Sequence, residues 1–435
     1  MAQFYTPRTA TAIIIANMIG TGVFTSLGFQ LIDIQNGFPI LLLWVLGGVA
    51  AFCGAVSYGE LGAALPRSGG EYNFLGRIYH PMAGFISGWV SATVGFAAPT
   101  AAVAIAFATY ALAGIPGMGE AGVKPLAVIL VIAVTLIHVR NRRDSGRFQF
   151  SFTVLKIVLI LIFCTLALIF VPEPQTVHVL PQAGDVSTVT GMAFGVSLIF
   201  VTYAYTGWNA ATYVSGELEN PQRDLPRVLV PGTAVVTFLY VLLNYVFMKV
   251  APVEAMAGEV EIAAIAAKHA FGESGGRLTA IMLAVLLVSS ASAMTLAGPR
   301  ALQMVGEDFR ALRFLSAVST DGVPRVAILV QSLIAVIFII TSSFQFVVVF
   351  TGAILAFNSF LAVAGVFVLR RREPDLPRPY TAFLYPLTPL LFLAITAFTL
   401  IYVVLDNPLQ AVVGLGVIGS GAVFYLISKA VPVQD

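Results

Sequence analysis

Asn17-Met18-Ile19-Gly20-Thr21-Gly22-Val23 falls in the middle of an apolar run that extends over residues 10–32. Two glycines flanking a threonine lower the cost of leaving helical geometry. A second stretch of this kind, Tyr203-Ala204-Tyr205-Thr206-Gly207-Trp208-Asn209, lies inside the run 188–214. There, aromatic and polar groups gather around one glycine. Glycine alone says little, because apolar helices also use it for close packing and the chain has 39 of them. What gives these two stretches weight is where they fall among the runs around them.

Those runs fill most of the chain. Of its 435 residues, 58% are hydrophobic and 10% charged, and the mean hydropathy is +0.93. Soluble domains carry about 25% charged residues, so a soluble enzyme is excluded, as is a disordered chain. A net charge of +2 is too small for a nucleic-acid binder. A bilayer core takes about 20 apolar residues per helix. Twelve runs qualify, near 10–32, 38–62, 81–112, 125–139, 148–171, 188–214, 228–250, 277–305, 325–342, 345–369, 385–405 and 408–429. No cleavable signal is visible. The stretch 252–275 reads as a short amphipathic helix outside the membrane. The expected class is an all-α integral membrane protein with twelve transmembrane helices.

Loop charges orient these spans. With the N-terminus inside, eighteen of the 23 Lys and Arg residues fall on the inner side, four on the outer side, and Lys156 within a span. Cytoplasmic loops hold the basic residues, so both termini are expected in the cytoplasm, with the chain in the cell membrane.

The two interruptions now fall in the first and sixth of twelve spans. Two five-span units, 10–171 and 188–369, would each begin with one, followed by two further helices over 385–429. An odd number of spans per unit turns the second copy upside down. Broken helices at matching positions of inverted repeats point to a transporter site at the midplane. A half-helix N-terminus suits a carboxylate, and half-helix carbonyls suit an ammonium. Two facing breaks can therefore hold both ends of a zwitterion.

Lys156 lies nine residues beyond Arg147, about 13 Å along a helix and so near mid-bilayer. A charge there costs roughly 2.5–3.5 kcal/mol and is usually paired and functional. The alternative is a stem that snorkels to the inner surface. No other Asp, Glu, Lys or Arg lies deep in a span as drawn.

Four strings resemble the amino acid-polyamine-organocation (APC) superfamily, and within it the L-type amino acid transporter-like permeases. They are IANMIGTGVF (15–24), GELGAALPRSGGEYNFL (59–75), YAYTGWNAATYVSGELENPQRDLPR (203–227) and LRRREPDLPRPYTAFLYPLTPLLF (369–392). The resemblance covers essentially the whole chain. It implies the five-plus-five inverted repeat of the leucine-transporter type, with helices 1 and 6 broken. It implies a substrate carboxylate on backbone N–H groups near Thr21, Gly22 and Val23, and an ammonium on carbonyls near Met18, Tyr203 and Thr206. Gly20 and Gly207 lie in the breaks, and Tyr203, Trp208 and Asn209 would line the side-chain pocket. It also implies that Lys156 stands where sodium-coupled relatives hold a cation. There it would bridge the first break near Gly20 to a span 8 hydroxyl, among Ser289, Ser290 and Ser292. Such a lysine serves as a proton carrier or as a fixed structural tie.

Neither broken stretch carries an acid, and Asn209 stands where relatives that bind cationic substrates have a carboxylate. An unpaired cationic side chain would be costly in low dielectric, so neutral L-α-amino acids are the expected substrates. The expected mode is secondary transport with proton coupling, with amino acid exchange as the alternative. No cofactor, metal site or nucleic acid is expected; membrane lipid is the surrounding partner. Mammalian L-type relatives pair with a glycoprotein through a disulfide, but Cys53 and Cys164 both fall in spans, so no covalent partner of that kind is expected. Glu60, Glu71, Glu217 and Glu219 read either as solvated charges or as inner-gate salt bridges with arginines such as Arg67 or Arg227. A membrane-embedded enzyme would have only a Lys156–Ser289 or Lys156–Ser290 dyad to work with. A channel would need filter motifs or charge rings, and none is visible.

Overall fold

The structure, a computed structural model, describes residues 6–113, 120–140, 145–213, 215, 218–319 and 322–430. Among these residues it is all helix, without a strand ladder. Glu217 lies outside the described residues. The chain runs through α1 (Pro7–Met18), α2 (Gly22–Gln30), α3 (Gly37–Ala64), the short α4 (Glu71–Ile78) and α5 (Pro81–Val90). A single π-turn, Ser91–Gly95, joins α5 to α6 (Ala97–Ala113). Then come α7 (Val123–Arg140), α8 (Ser145–Phe170), α9 (Asp185–Val189), α10 (Met192–Tyr205) and α11 (Ala210–Tyr213). The second half continues with α12 (Pro221–Val250), α13 (Val253–Met256), α14 (Ile262–Asp308), α15 (Arg325–Thr341), α16 (Phe344–Arg372), α17 (Leu387–Asp406) and α18 (Pro408–Ala430).

Ten of the described helical segments are long and apolar enough to cross a membrane; Met192–Tyr205 and Arg325–Thr341 are shorter apolar helices. The bundle is apolar outside as well as inside. Ile129, Leu136 and Ile137 of α7, Val158 and Ile162 of α8, and Leu409, Val412 and Leu415 of α18 are all exposed. A water-soluble fold does not tolerate an apolar surface of that extent. Lipid does, and the chain is a multi-pass membrane protein.

The broken helices lie at the centre. Of α2, all residues but Phe29 are buried. It packs against α10, which also contacts α3, α16 and α17. Small residues make that proximity possible. A Cβ on Gly22 would come within 2.4 Å of the Ala204 Cα, so α2 lies backbone to backbone against α10.

Several expected boundaries move. Tyr203, Ala204 and Tyr205 were expected in the second break but are helical, because all three are buried in the packing of α10 and the Tyr205 hydroxyl is held by the Trp44 carbonyl at 3.0 Å. The seventh helix begins at Pro221 rather than 228, with Pro226 and Pro231 inside it. The stretch 252–275 is more deeply packed than a solvated external helix. α14 starts at Ile262 and turns sharply at Gly272, whose φ is 76°. Its first segment buries Ile262, Ala263, Ala266 and Ala267, and the Gly258 amide donates to the Gly28 carbonyl of α2 at 2.8 Å.

Candidate functional site

The first interruption spans residues 19–21, between α1 and α2; the second spans 206–209, between α10 and α11. Each accommodates the other helix through a glycine. Gly22 leaves room for Ala204, and a Cβ on Gly207 would stand 2.9 Å from Asn17. Gly207 has a φ of 97°, a conformation that side chains other than glycine strain to adopt. The Tyr240 hydroxyl of α12 sits 2.5 Å from the Met18 carbonyl and 3.0 Å from the Ala204 carbonyl. It thus touches the last turn of both half-helices. The start of α2 supplies amides that have no carbonyl one turn earlier to receive them, and its dipole presents positive charge there.

A cavity of about 80 Å³ adjoins the second break. Thr206, Gly207, Trp208 and Asn209 line it, together with Asn17, Glu71, Phe96 and Tyr213. Met18, Gly20, Thr21, Gly22, Val23 and Tyr203 do not line it; they are packed beside it. The Gly22–Ala204 contact closes the space between α2 and α10. Tyr203, expected as a pocket wall, is instead 3% exposed and within hydrogen-bonding reach of Thr21. Trp208 packs edge-on against Tyr58, with ring centroids 4.6 Å apart, in space left open by Gly54.

Lys156 is 2% exposed. Its Nζ donates to the Ile19 carbonyl at 3.0 Å and to the Ser290 hydroxyl at 2.7 Å, so it does not snorkel. Unwinding at residues 19–21 is what frees a main-chain oxygen for it. One turn earlier on the same helix, the Thr153 hydroxyl donates to the Ala12 carbonyl at 3.3 Å. α8 therefore holds α1 at two levels. Of the three candidate hydroxyls, only Ser290 meets the amine. Ser289 donates to the Leu286 carbonyl at 2.8 Å, and Ser292 pairs with His138 at 2.8 Å. Adjacent residues on a helix point about 100° apart, so only one can face α8.

The acidic residues divide between the two expectations and a third arrangement. Glu60 and Glu71 are each 2% exposed, so neither is solvated. Glu60 takes the salt-bridge alternative, pairing with Arg370 at 2.7 Å and Arg378 at 3.6 Å rather than with Arg67 or Arg227. Arg67 pairs with Asp308 at 2.7 Å, which holds its guanidinium pKa above the ordinary value, and Tyr72 donates to the same carboxylate. Glu71 has no arginine partner among the described residues. It accepts from Tyr58 at 2.7 Å, from the Asn209 side-chain amide at 2.5 Å, and from Tyr213. Gly69 and Gly70, with φ of 112° and 54°, turn the chain so that α4 enters the bundle with Glu71 at its first position.

Sequence reasoning missed Tyr240 altogether and misread Glu71. The signal for Tyr240 was a phenol at the middle of a 30-residue helix, where its hydroxyl needs a partner. The signal for Glu71 was a glycine pair directly before an acid.

A family model described as "Amino acid permease" matches residues 5–425. The large neutral amino acids transporter small subunit 2 of Mus musculus is 28% identical over 96% of this chain and 80% of its own length. The serine/threonine exchanger SteT of Bacillus subtilis (strain 168) is 27% identical over 90% and 89%. The b(0,+)-type amino acid transporter 1 of Mus musculus is 26% identical over 95% and 85%.

Proposed function

This chain belongs to the amino acid permease family, and from that premise we propose that it carries neutral L-α-amino acids across the membrane by alternating access. The observation that supports this most is the pair of facing breaks at residues 19–21 and 206–209, each fitted around the other by a glycine. In this reading the substrate carboxylate meets the amides of Thr21, Gly22 and Val23, once α2 and α10 separate. The ammonium meets the carbonyls at Met18, Tyr203 and Thr206, and the side chain enters the cavity beside Trp208 and Asn209. Twelve spans arranged as repeats over 10–171 and 188–369, with 385–429 added, agree with the reciprocal packing of the breaks. The arginine-rich loops support a cytoplasmic position for both termini.

Lys156 fills the place of a coupling cation, so transport is sodium-independent. Two coupling modes remain in competition. Proton symport would use the buried Lys156 amine as its carrier. Amino acid exchange is favoured by the relative whose name is serine/threonine exchanger. Cys53 and Cys164 are buried, which agrees with a carrier that needs no disulfide-linked partner.

Reconstitution in liposomes tests the reading. We expect saturable uptake of labelled neutral amino acids, unchanged when choline replaces sodium. Uptake only into preloaded vesicles identifies exchange; uptake into empty vesicles driven by an inward proton gradient identifies symport. No saturable uptake across a full panel of neutral amino acids would remove the carrier reading.

A further inference from the structure

Glu71 bears on which side chains the cavity accepts. Its carboxylate is buried and takes three donors, the hydroxyls of Tyr58 and Tyr213 and the Asn209 amide nitrogen. The Asn209 amide turns its NH₂ toward Glu71, so its Oδ1 points away from that carboxyl group. Asn209 lines the cavity. Among the described residues no donor reaches this Oδ1, and it is not one of the buried atoms left without a partner. With Asn209 on the cavity wall, this oxygen is left as an acceptor without a donor among the described residues.

The same wall has other oxygens whose protons are already committed. Thr202 donates to the Leu198 carbonyl at 2.8 Å, and Thr206 to the Tyr203 carbonyl at 2.6 Å. The Tyr213 proton goes to Glu71. Thr202, Thr206 and Tyr213 thus have no proton free for a guest's side chain, while Ser359 of α16 and Thr396 of α17 bring hydroxyls to the same cavity. A guest with a purely apolar side chain leaves Oδ1 desolvated and unmatched, and an unmatched buried acceptor is costly.

We propose that Glu71 is a positioning residue that locks the Asn209 amide with its oxygen toward the cavity. By that means it makes the protein prefer neutral amino acids whose side chains carry a hydrogen-bond donor, a hydroxyl or a primary amide, over apolar ones of the same shape. The proposal rests on the carrier reading above and adds the chemistry of the guest's side chain to it.

Threonine and valine form the decisive pair, since they differ by a hydroxyl in place of a methyl. Competition against labelled uptake, run in proteoliposomes of the full chain, should show threonine outcompeting valine by about tenfold, the scale of one net hydrogen bond. Serine should exceed alanine in the same sense. In Glu71→Gln the new amide can donate as well as accept, so Asn209 is free to turn over, and the threonine-to-valine ratio should fall toward one. The ratio is the readout, because a merely structural role for Glu71 would lower uptake of both substrates alike. A wild-type ratio near one overturns the proposal even if Glu71→Gln fails to reach the membrane. Valine competing as well as threonine, with saturable uptake intact, overturns this inference alone. A wild-type protein that neither transports nor is thermally protected by any amino acid overturns the carrier reading with it.

Discussion

At the first interruption, Ile19 presents a main-chain oxygen to a buried ammonium; at the second, Asn209 presents a side-chain amide to a buried carboxylate. Lys156 reaches its break from α8, with Ser290 of α14 as second anchor. Glu71 reaches the other from the start of α4, with Tyr58 and Tyr213 as co-donors. The two fastenings carry opposite charge and use different parts of the residue they hold. A main-chain oxygen is present whatever residue occupies position 19, so the first fastening constrains shape alone. A side-chain amide exists only if Asn209 is kept, so the second constrains both shape and what the cavity displays. One break is anchored generically, and the other is anchored in a way that bears on selectivity.

The most severe way to break this comparison is Lys156→Ala. It leaves the Ile19 carbonyl and the Ser290 hydroxyl, 3.3 Å apart, with only each other as partners, and hydrogen bonds to a charged group are worth roughly 1.5–3 kcal/mol each. Vesicle uptake should fall more than about tenfold, and wild-type rates in this variant would defeat the assignment of the lysine. Next comes Gly207→Ala. A side chain at that φ costs about 1–2 kcal/mol, and its Cβ meets Asn17 at 2.9 Å. The midpoint of thermal unfolding in detergent should drop; an unchanged midpoint would mean that the second break does not need its glycine.

Tyr240→Phe removes one hydroxyl from between the breaks and keeps the ring that packs edge-on against Trp44. A neutral hydrogen bond contributes about 0.5–1.5 kcal/mol, so a several-fold change in transport is expected without loss of folded protein. The finest test compares two neighbours. Ser290→Ala should reduce uptake a few-fold more than Ser289→Ala, because only Ser290 touches the amine. Equal effects would place Lys156 against the wrong hydroxyl.

The breaks and the apolar runs were legible because their causes are local. Lipid imposes about 20 apolar residues on every crossing, and glycine flanking a polar residue marks where a helix can part. The edges were less legible: nothing within Tyr203-Ala204-Tyr205 forces it out of a helix, and nothing short of tertiary contact shows that it stays in. Lys156 was conspicuous as a charge in an apolar run, yet its choice of Ser290 over Ser289 depends on how α14 is rotated. Glu71 and Glu60 were illegible for another reason. Their partners Asn209 and Arg370 are separated from them by 138 and 310 positions. In the chain they look like ordinary charges at the ends of helices.

Tyr240 has a mechanical consequence. A phenol owns one hydrogen, and here two main-chain oxygens from different half-helices compete for it. Any tilt that draws α1 nearer hands it to Met18 and leaves Ala204 unserved; a tilt of α10 does the reverse. Such a pivot opposes the independent wandering of either rod and rewards their moving in step, like two levers pinned on a single axle.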